Sequence, residues 1–363
     1  MKFKKDTNLN NYLDELLSKH ELNLSISDML TSLLGNTEIT CAKEIELLMH
    51  RFHFSARTVF FSKITRYFDI DLTVEDNDEI FNRYVLDTIH ELEPNKYLNN
   101  PYYQAIKDIN VKDGDYEIKV DKYQAFEIFA YQDMTSKEYV EINSLGYFKE
   151  SFSFITLNHK GVTWMNITPN EIETMQKAVD NVKGDVLVFG LGLGYFPFMA
   201  SLKSEVRDIT IIENDKTVIK LFEKYLLPYF PHKEKITILY GDANDYLNKS
   251  FKADYAFIDL WHSPEDGIDF FLKFKSVEKK YGGTTFFYWL ESSFYLYLRR
   301  LMFTLIGEQL DTSRNYSYSK AETIEDKIIN TYYQKTKNLL VENKEDVDKL
   351  LSEDTLLNLL LND

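Results

Sequence analysis

Cysteine is nearly absent from this chain, with Cys41 the only one among 363 residues. One thiol excludes an intrachain disulfide, and nothing points to an oxidising compartment, so the chain reads as cytoplasmic. The start, MKFKKDTNLNN, has lysines without an apolar stretch behind them, and no secretory signal is expected. Proline (7) and glycine (13) are scarce, so no proline- or glycine-rich linker divides the chain and any cluster of glycines is informative. A long uninterrupted hydrophobic run is also missing. The most apolar stretch, TTFFYWLESSFYLYLRRLMFTLIG, is broken by Glu291, Arg299 and Arg300 before it reaches the roughly 20 apolar residues that span a bilayer. It reads as a buried strand followed by a half-buried helix, and no membrane partner is expected.

Positive charge is in deficit. Lysine and arginine number 42 against 58 acidic residues, a formal charge of -16. Such a surface repels phosphate backbones unless a local basic patch overrides it, so nucleic acid is disfavoured as a substrate and a small neutral or cationic molecule is favoured. What the chain does have is core-forming material: 44% of its residues are hydrophobic and 15% aromatic. That composition fits packed globular domains, and the length allows about two.

Four periodic patterns run along the sequence. Up to about residue 110, LNNYLDELLSKH, ISDMLTSLLG, EIELLMHRFHF and EIFNRYVLDTIHEL repeat apolar residues at three- and four-residue spacing, which predicts a helical N-terminal domain over 1–112 whose leucine and aromatic faces are core. Composition changes at Asp113 and Gly114, and FSFITLNHKGVTWMNI alternates about an NHKG turn, which predicts a β-hairpin connector over 113–170. Thr168, Pro169 and Glu171 have the spacing of a capping box with proline at the first helical position. From 171 to 310, DVLVF, ITIIE, ITILY, DYAFID and TTFFYW alternate with helical segments starting at Tyr195, Lys216, Ala243 and Pro264. Strands separated by single helices demand right-handed crossovers, hence an α/β fold with a doubly wound, mainly parallel sheet. Beyond 310 the pattern is helical again, a C-terminal extension over 311–363 that packs on a neighbouring domain or in a homo-oligomer.

Ligands of such sheets bind at the carboxyl ends of the strands. The first strand runs into Gly190-Leu191-Gly192-Leu193-Gly194 and then into a helix, so backbone approaches a ligand with no β-carbon in the way. The dinucleotide pattern G-x-G-x-x-G wants a third glycine at 195, which is Tyr195. Glu213 ends the second strand, where a carboxylate accepts the hydroxyls of a ribose or merely precedes a helix cap formed by Asn214 or Asp215. Asp242 follows the third strand beside Ala243, with Asp245 three residues on, and its plain reading is a helix cap. Asp259 ends the fourth strand and opens a loop holding Trp261 and His262, before Ser263 and Pro264 begin a helix. Trp261 either stacks on a ligand or packs over the sheet edge. His262 is either a general base or a loop histidine without a catalytic role.

The G-x-G-x-G loop and the acids Glu213, Asp242 and Asp259 on successive strands resemble the class I, Rossmann-like S-adenosylmethionine-dependent methyltransferases, and the spermidine synthase group among them, over about residues 155 to 290. The resemblance implies S-adenosylmethionine as cofactor, held by Gly190, Leu191, Gly192, Gly194, Glu213, Asn214, Asp242 and Ala243, with the Asp242 carboxylate on the adenine amine. It makes Asp259 a candidate catalytic residue; His262, through its imidazole, is the second candidate, and no metal is expected. In spermidine synthases the fourth strand ends in an Asp-Ser-Ser-Asp type sequence; here the second aspartate is replaced by His262, and the Asn-Pro-Pro-Tyr type motif of amino-group methyltransferases is missing. Methyl transfer to a small acceptor is therefore expected. Aminopropyl transfer and a catalytically silent nucleotide-binding module are the alternatives.

Overall fold

The computed structural model describes residues 1–247, 251–311 and 322–361. A short strand β1 (Lys2–Phe3) precedes helix α1 (Thr7–Thr31), where the Asp6 carboxylate accepts the Leu9 amide at 3.0 Å and closes the first turn. Leu9, Leu13 and Leu16 enter the main core of the molecule, whereas Ile26 and Leu30 enter a second core with the next helices. Those are α2 (Ala42–Phe52), α3 (Ala56–Tyr67) and α4 (Glu75–Phe81). The expectation that the apolar faces of the periodic stretches are core holds for α1, and α3, which no such stretch covers, buries Val59, Phe60, Phe61 and Ile64. It fails for α2, which buries only Ile45 and leaves Leu47 and Phe52 exposed.

Residues 1–112 are not wholly helical, and 113–170 hold more than one hairpin. After β2 (Ile89–Glu91), α5 (Pro94–Leu98) and α6 (Pro101–Ile106) come β3 (Val111–Asp113), β4 (Tyr116–Tyr123), β5 (Phe129–Ala130), β6 (Thr135–Lys137), β7 (Val140–Ile142), β8 (Leu145–Tyr147), β9 (Phe152–His159) and β10 (Val162–Ile167). They make a four-stranded antiparallel sheet in the order β10-β9-β4-β3, a three-stranded sheet β2-β8-β5 and a hairpin β6-β7. The NHKG turn joins β9 to β10 through Lys160 (φ 52°) and Gly161 (φ 80°), the left-handed pair that a two-residue hairpin loop needs to match strand twist. The β9–β10 register shifts between Thr163 and Met165, leaving Trp164 in a bulge.

Helix α7 (Pro169–Asn181) has proline at its start, but Thr168 makes no side-chain cap, so the expected capping box does not form. Then follow β11 (Gly184–Phe189), α8 (Tyr195–Ser201), β12 (Val206–Glu213), α9 (Lys216–Leu221), β13 (Ile236–Tyr240), α10 (Ala243–Leu247), β14 (Tyr255–Ile258), α11 (Pro264–Val277) and β15 (Thr285–Tyr288). The five strands are all parallel, in the order β13-β12-β11-β14-β15. Strand order reverses between β11 and β14, and right-handed crossovers on either side of that point distribute the helices over both faces, the doubly wound arrangement expected from the sequence.

Helix α12 (Glu291–Leu310) is followed by α13 (Ile324–Thr336), β16 (Leu340–Val341), α14 (Lys344–Leu350) and α15 (Glu353–Leu361). The C-terminal extension is thus not purely helical: β16 pairs in parallel with β1 at the other end of the chain. Tyr332, Val347, Leu351 and Leu356 are buried in the main core, and α13 and α15 pack on α12 of the same chain. Residues 312–321, within the segment read as helical, lie outside the described residues. No helix among the described residues is long and apolar enough to cross a membrane.

The start of α12 explains why distant segments are tied together. Its N-cap position is Leu290, left-handed at φ 56° and without a side-chain acceptor. Asp133, from the segment before β6, supplies what is missing: its carboxylate accepts the Ser292 amide at 2.9 Å, the Ser293 amide at 3.2 Å and the Ser293 hydroxyl. Replacing Asp133 by Ala leaves those amides without an acceptor, and chemical unfolding should show a loss of about 1–2 kcal/mol. Unchanged stability would remove Asp133 as the cap of α12.

Candidate active site

The β11–α8 loop is shaped by what surrounds it. Gly190 has φ 95°, and a β-carbon there would lie 1.9 Å from the carbonyl oxygen of Asp259. The loop therefore rests directly on the end of β14, which any side chain would prevent. Gly192, at φ 52°, meets nothing within 4 Å and borders a cavity of about 460 Å³ at the carboxyl ends of the strands. From the outer side, the buried Tyr102 hydroxyl of α6 donates to the Leu193 carbonyl, and the Asn100 amide donates to the Tyr195 hydroxyl at 3.1 Å. The N-terminal region thus holds the loop in place without itself lining the cavity; the lining begins at Trp164.

Gly190, Leu191, Gly192, Gly194, Glu213, Asn214, Asp242, Ala243, Asp259 and His262 all border this one cavity. Glu213 is engaged with backbone: one carboxylate oxygen accepts the Leu191 amide at 3.0 Å and the other the Asp215 amide at 2.8 Å. Each oxygen keeps a further lone pair for a ligand hydroxyl. The cap of α9 is Asp215, not Asn214; its carboxylate accepts the amides of Thr217 and Val218, and Asn214 is left exposed at the rim. Asp242 is exposed too, and one of its carboxylate oxygens accepts the Asn244 amide at 2.8 Å and the Asn244 side-chain amide at 2.9 Å in a local turn.

The two residues of the Asp259 loop that had two readings separate in the structure. Trp261 is buried at 4% exposure, its indole N–H donating to the Trp289 carbonyl at 3.1 Å. Gly267 of α11 leaves room for it, since a β-carbon there would sit 2.5 Å from the Trp261 ring. The packed reading is the one observed, and the ring is a wall of the cavity. The exposed His262 side chain stands at the rim with its Nδ1 3.3 Å from Asp266, while its main-chain amide donates to the same carboxylate. Asp266 also closes a capping box with Ser263 at the start of α11.

Two residues at the cavity escaped the sequence reading. Glu171 projects from α7 into the cavity, where burial first, and then the charge of Asp259, holds its carboxyl well above the usual range. Asp259 is likewise pushed up to about 7 by burial and by the charge of Glu213. The cavity thus contains a pair of carboxyl groups of which one keeps a proton near neutrality. A signal existed: Glu171 stands four residues before Met175 and seven before Ala178, on the buried stripe of α7. Trp164 is the other. The bulge turns it toward the cavity, and it leans on a cross-strand stack of Tyr116 and His159, whose ring centroids lie 4.4 Å apart. Its adjacency to Met165 breaks the apolar–polar alternation of the strand.

These environments make two predictions. Asp259 is protonated in the folded chain up to about pH 7 but ionised from about pH 4 when unfolded, so folding binds a proton in that window and stability falls as pH rises through it. Asp259→Asn should raise unfolding stability at pH 8 by roughly 1–3 kcal/mol, with the gain gone near pH 4; an equal effect at both pH values would contradict the buried pair. Gly190→Ala should cost roughly 3 kcal/mol or more through its clash with β14. Gly192→Ala should cost only about 1 kcal/mol and leave a folded protein with an obstructed cavity. Comparable losses for the two would refute the distinction.

The sequence matches no known family and no curated protein. Solved structures share a partial likeness with it. Spermidine synthase from Thermotoga maritima is 17% identical over 41% of this chain and 58% of its own, with a TM-score of 0.28. MNMC2 from Aquifex aeolicus is 19% identical over 52% and 70%, at 0.26. A putative O-methyltransferase from Klebsiella pneumoniae is 14% identical over 27% and 44%, at 0.22. The chain thus spans less than two thirds of the length of that spermidine synthase. Likeness this partial assigns neither a reaction nor a role to any residue.

Proposed function

We propose that this protein is an S-adenosylmethionine-dependent methyltransferase acting on a small acceptor that carries an amine. The observation that carries this reading is the single cavity in which the open glycine loop, two strand-end acids and a proton-holding carboxyl pair meet. The residues fit the cofactor: Gly192 leaves space where a side chain would stand, Glu213 has spare lone pairs for ribose hydroxyls, and Asp242 beside Ala243 offers an acceptor for the adenine amine. When bound, S-adenosylmethionine supplies a sulfonium-activated methyl group.

The chain's own contribution is positioning and proton management. An acceptor ammonium entering beside Glu171 and Asp259 would favour their ionised forms, because opposite charge offsets the burial that keeps one of them protonated. Asp259 then accepts a proton from the ammonium nitrogen and frees its lone pair. Trp164 and the wall formed by Trp261 exclude water from that end of the cavity. His262, at the rim and within reach of Asp266, relays the proton to solvent. Orientation of the acceptor supplies most of the acceleration.

Glu171 also keeps the aminopropyl-transfer reading in play. It provides beside Asp259 the second carboxyl group that the sequence lacks at position 262, and such a pair suits a cationic amine. The two readings differ in the nucleoside released, S-adenosylhomocysteine for methyl transfer and methylthioadenosine for aminopropyl transfer.

Calorimetric titration should show binding of S-adenosylmethionine and S-adenosylhomocysteine and none of NAD; the reverse would end this assignment. With a panel of small amines, S-adenosylhomocysteine should accumulate, and Asp259→Asn should slow its formation by about 10²-fold or more, with His262→Ala the milder change. Ligand binding that survives both substitutions with no turnover to lose would instead identify a silent nucleotide-binding module.

A further inference from the structure

The α2–α3 hairpin and the segment through α4 that follows it carry two exposed patches that the site does not use. At the hairpin tip, His50, Arg51, Phe52, His53 and Phe54 are all exposed. Phe52 and Phe54 are 50% and 57% exposed and stack on each other at 6.1 Å, with the Arg51 guanidinium 5.3 Å from the Phe52 ring. One turn back along α2, Leu47 is 63% exposed. Residues 47–62 contain Arg51 and Arg57 and no acid, a basic and apolar surface on a chain of charge -16.

At the other end of α3 the character is reversed. Residues 68–82 contain six acids, Asp69, Asp71, Glu75, Asp76, Asp78 and Glu79, and no base. Leu72 and Val74 lie exposed among them. The twelve residues of α3, about 18 Å of helix, lie between the tip and the start of the acidic arc.

We propose that this hairpin, with the segment that follows it, is the interface of a homodimer, in which the basic aromatic tip of one copy docks on the acidic, aliphatic arc of a second copy. Two patches of opposite charge at the ends of one rod are self-complementary when two rods lie antiparallel, so a two-fold axis forms both contacts at once. Leu47 and the outer face of α2 then lie along the seam. Other occupants satisfy only half of the surface. An anionic lipid face or a nucleic acid would attract the tip but repel the acidic arc at the far end of α3. A second copy matches both charges and covers the exposed phenylalanines.

Sedimentation velocity on the full chain tests this. The wild type should dimerise at micromolar concentration, more weakly at about 0.5 M than at about 0.05 M salt. Arg51→Glu alone, or Glu75→Arg with Asp76→Arg, should weaken the dimer at least about tenfold, as should Phe52→Ser with Phe54→Ser. All of these positions are exposed, so each variant should stay folded, the charge reversals lowering thermal stability only by the favourable helix-end charge they remove, about 1 kcal/mol or less per residue. Mixing the Arg51→Glu protein with the Glu75→Arg/Asp76→Arg protein should restore a dimer, because in the mixed pair one contact has its charges exchanged and the other keeps the wild-type residues on both sides. A wild type that stays monomeric up to about 100 μM, a concentration covering standard interface affinities, would overturn the proposal. So would a dimer indifferent to every variant, a mixture that fails to associate, or a monomer that binds phosphatidylserine vesicles through Phe52 and Phe54.

Discussion

The loop between β11 and α8 lies against the end of β14 at a distance that only a glycine permits: a β-carbon on Gly190 would stand 1.9 Å from the Asp259 carbonyl oxygen. Everything at the carboxyl ends of the strands follows from that contact. It sets the loop low enough for the Leu191 amide to reach Glu213, it brings Asp259 under the loop, and it leaves Gly192 facing open space. Tyr102 and Asn100 then hold the loop from the outside, so the N-terminal region takes part in the site through support and not through contact with the cavity. That arrangement separates the two jobs of a binding loop, being placed and being open.

A second constraint is electrostatic. Glu171 and Asp259 share one cavity, and burial together with neighbouring negative charge favours the protonated form of each. Such a site is unstable toward charge in its empty form and is relieved by a cation. The proposed amine acceptor fits that imbalance, and so does the overall negative charge of the chain, which draws cations toward it. The tip of the α2–α3 hairpin is a basic, aromatic exception to that surface, and its charge has a counterpart in the acidic segment that follows α3.

Much of the fold was legible in the sequence because its periods are local properties. The five strands, the helices that follow them, the NHKG turn and the breaks after Gly190 and Asp259 are each specified by a few neighbouring residues. The readings that failed depended on neighbours in space. Thr168, Pro169 and Glu171 have the spacing of a capping box, yet Glu171 turns inward because it shares a stripe with Met175 and Ala178. Helix α2 has apolar residues at helical spacing, but no element among the described residues covers Leu47 or Phe52.

A parallel doubly wound sheet, a glycine loop after its first strand and acids at the next three strand ends can be read along the chain, since strand periodicity and glycine's freedom need no long-range information. Tertiary structure alone decided that Glu171 stands beside Asp259 in the cavity, that a bulge directs Trp164 into it, that Trp261 is packed on Gly267, and that Asp133 caps α12 from 160 residues away. The physical reason is the same in each case. Burial, proton affinity and hydrogen-bond partners belong to the space a side chain enters, and that space is assembled from segments far apart in the chain.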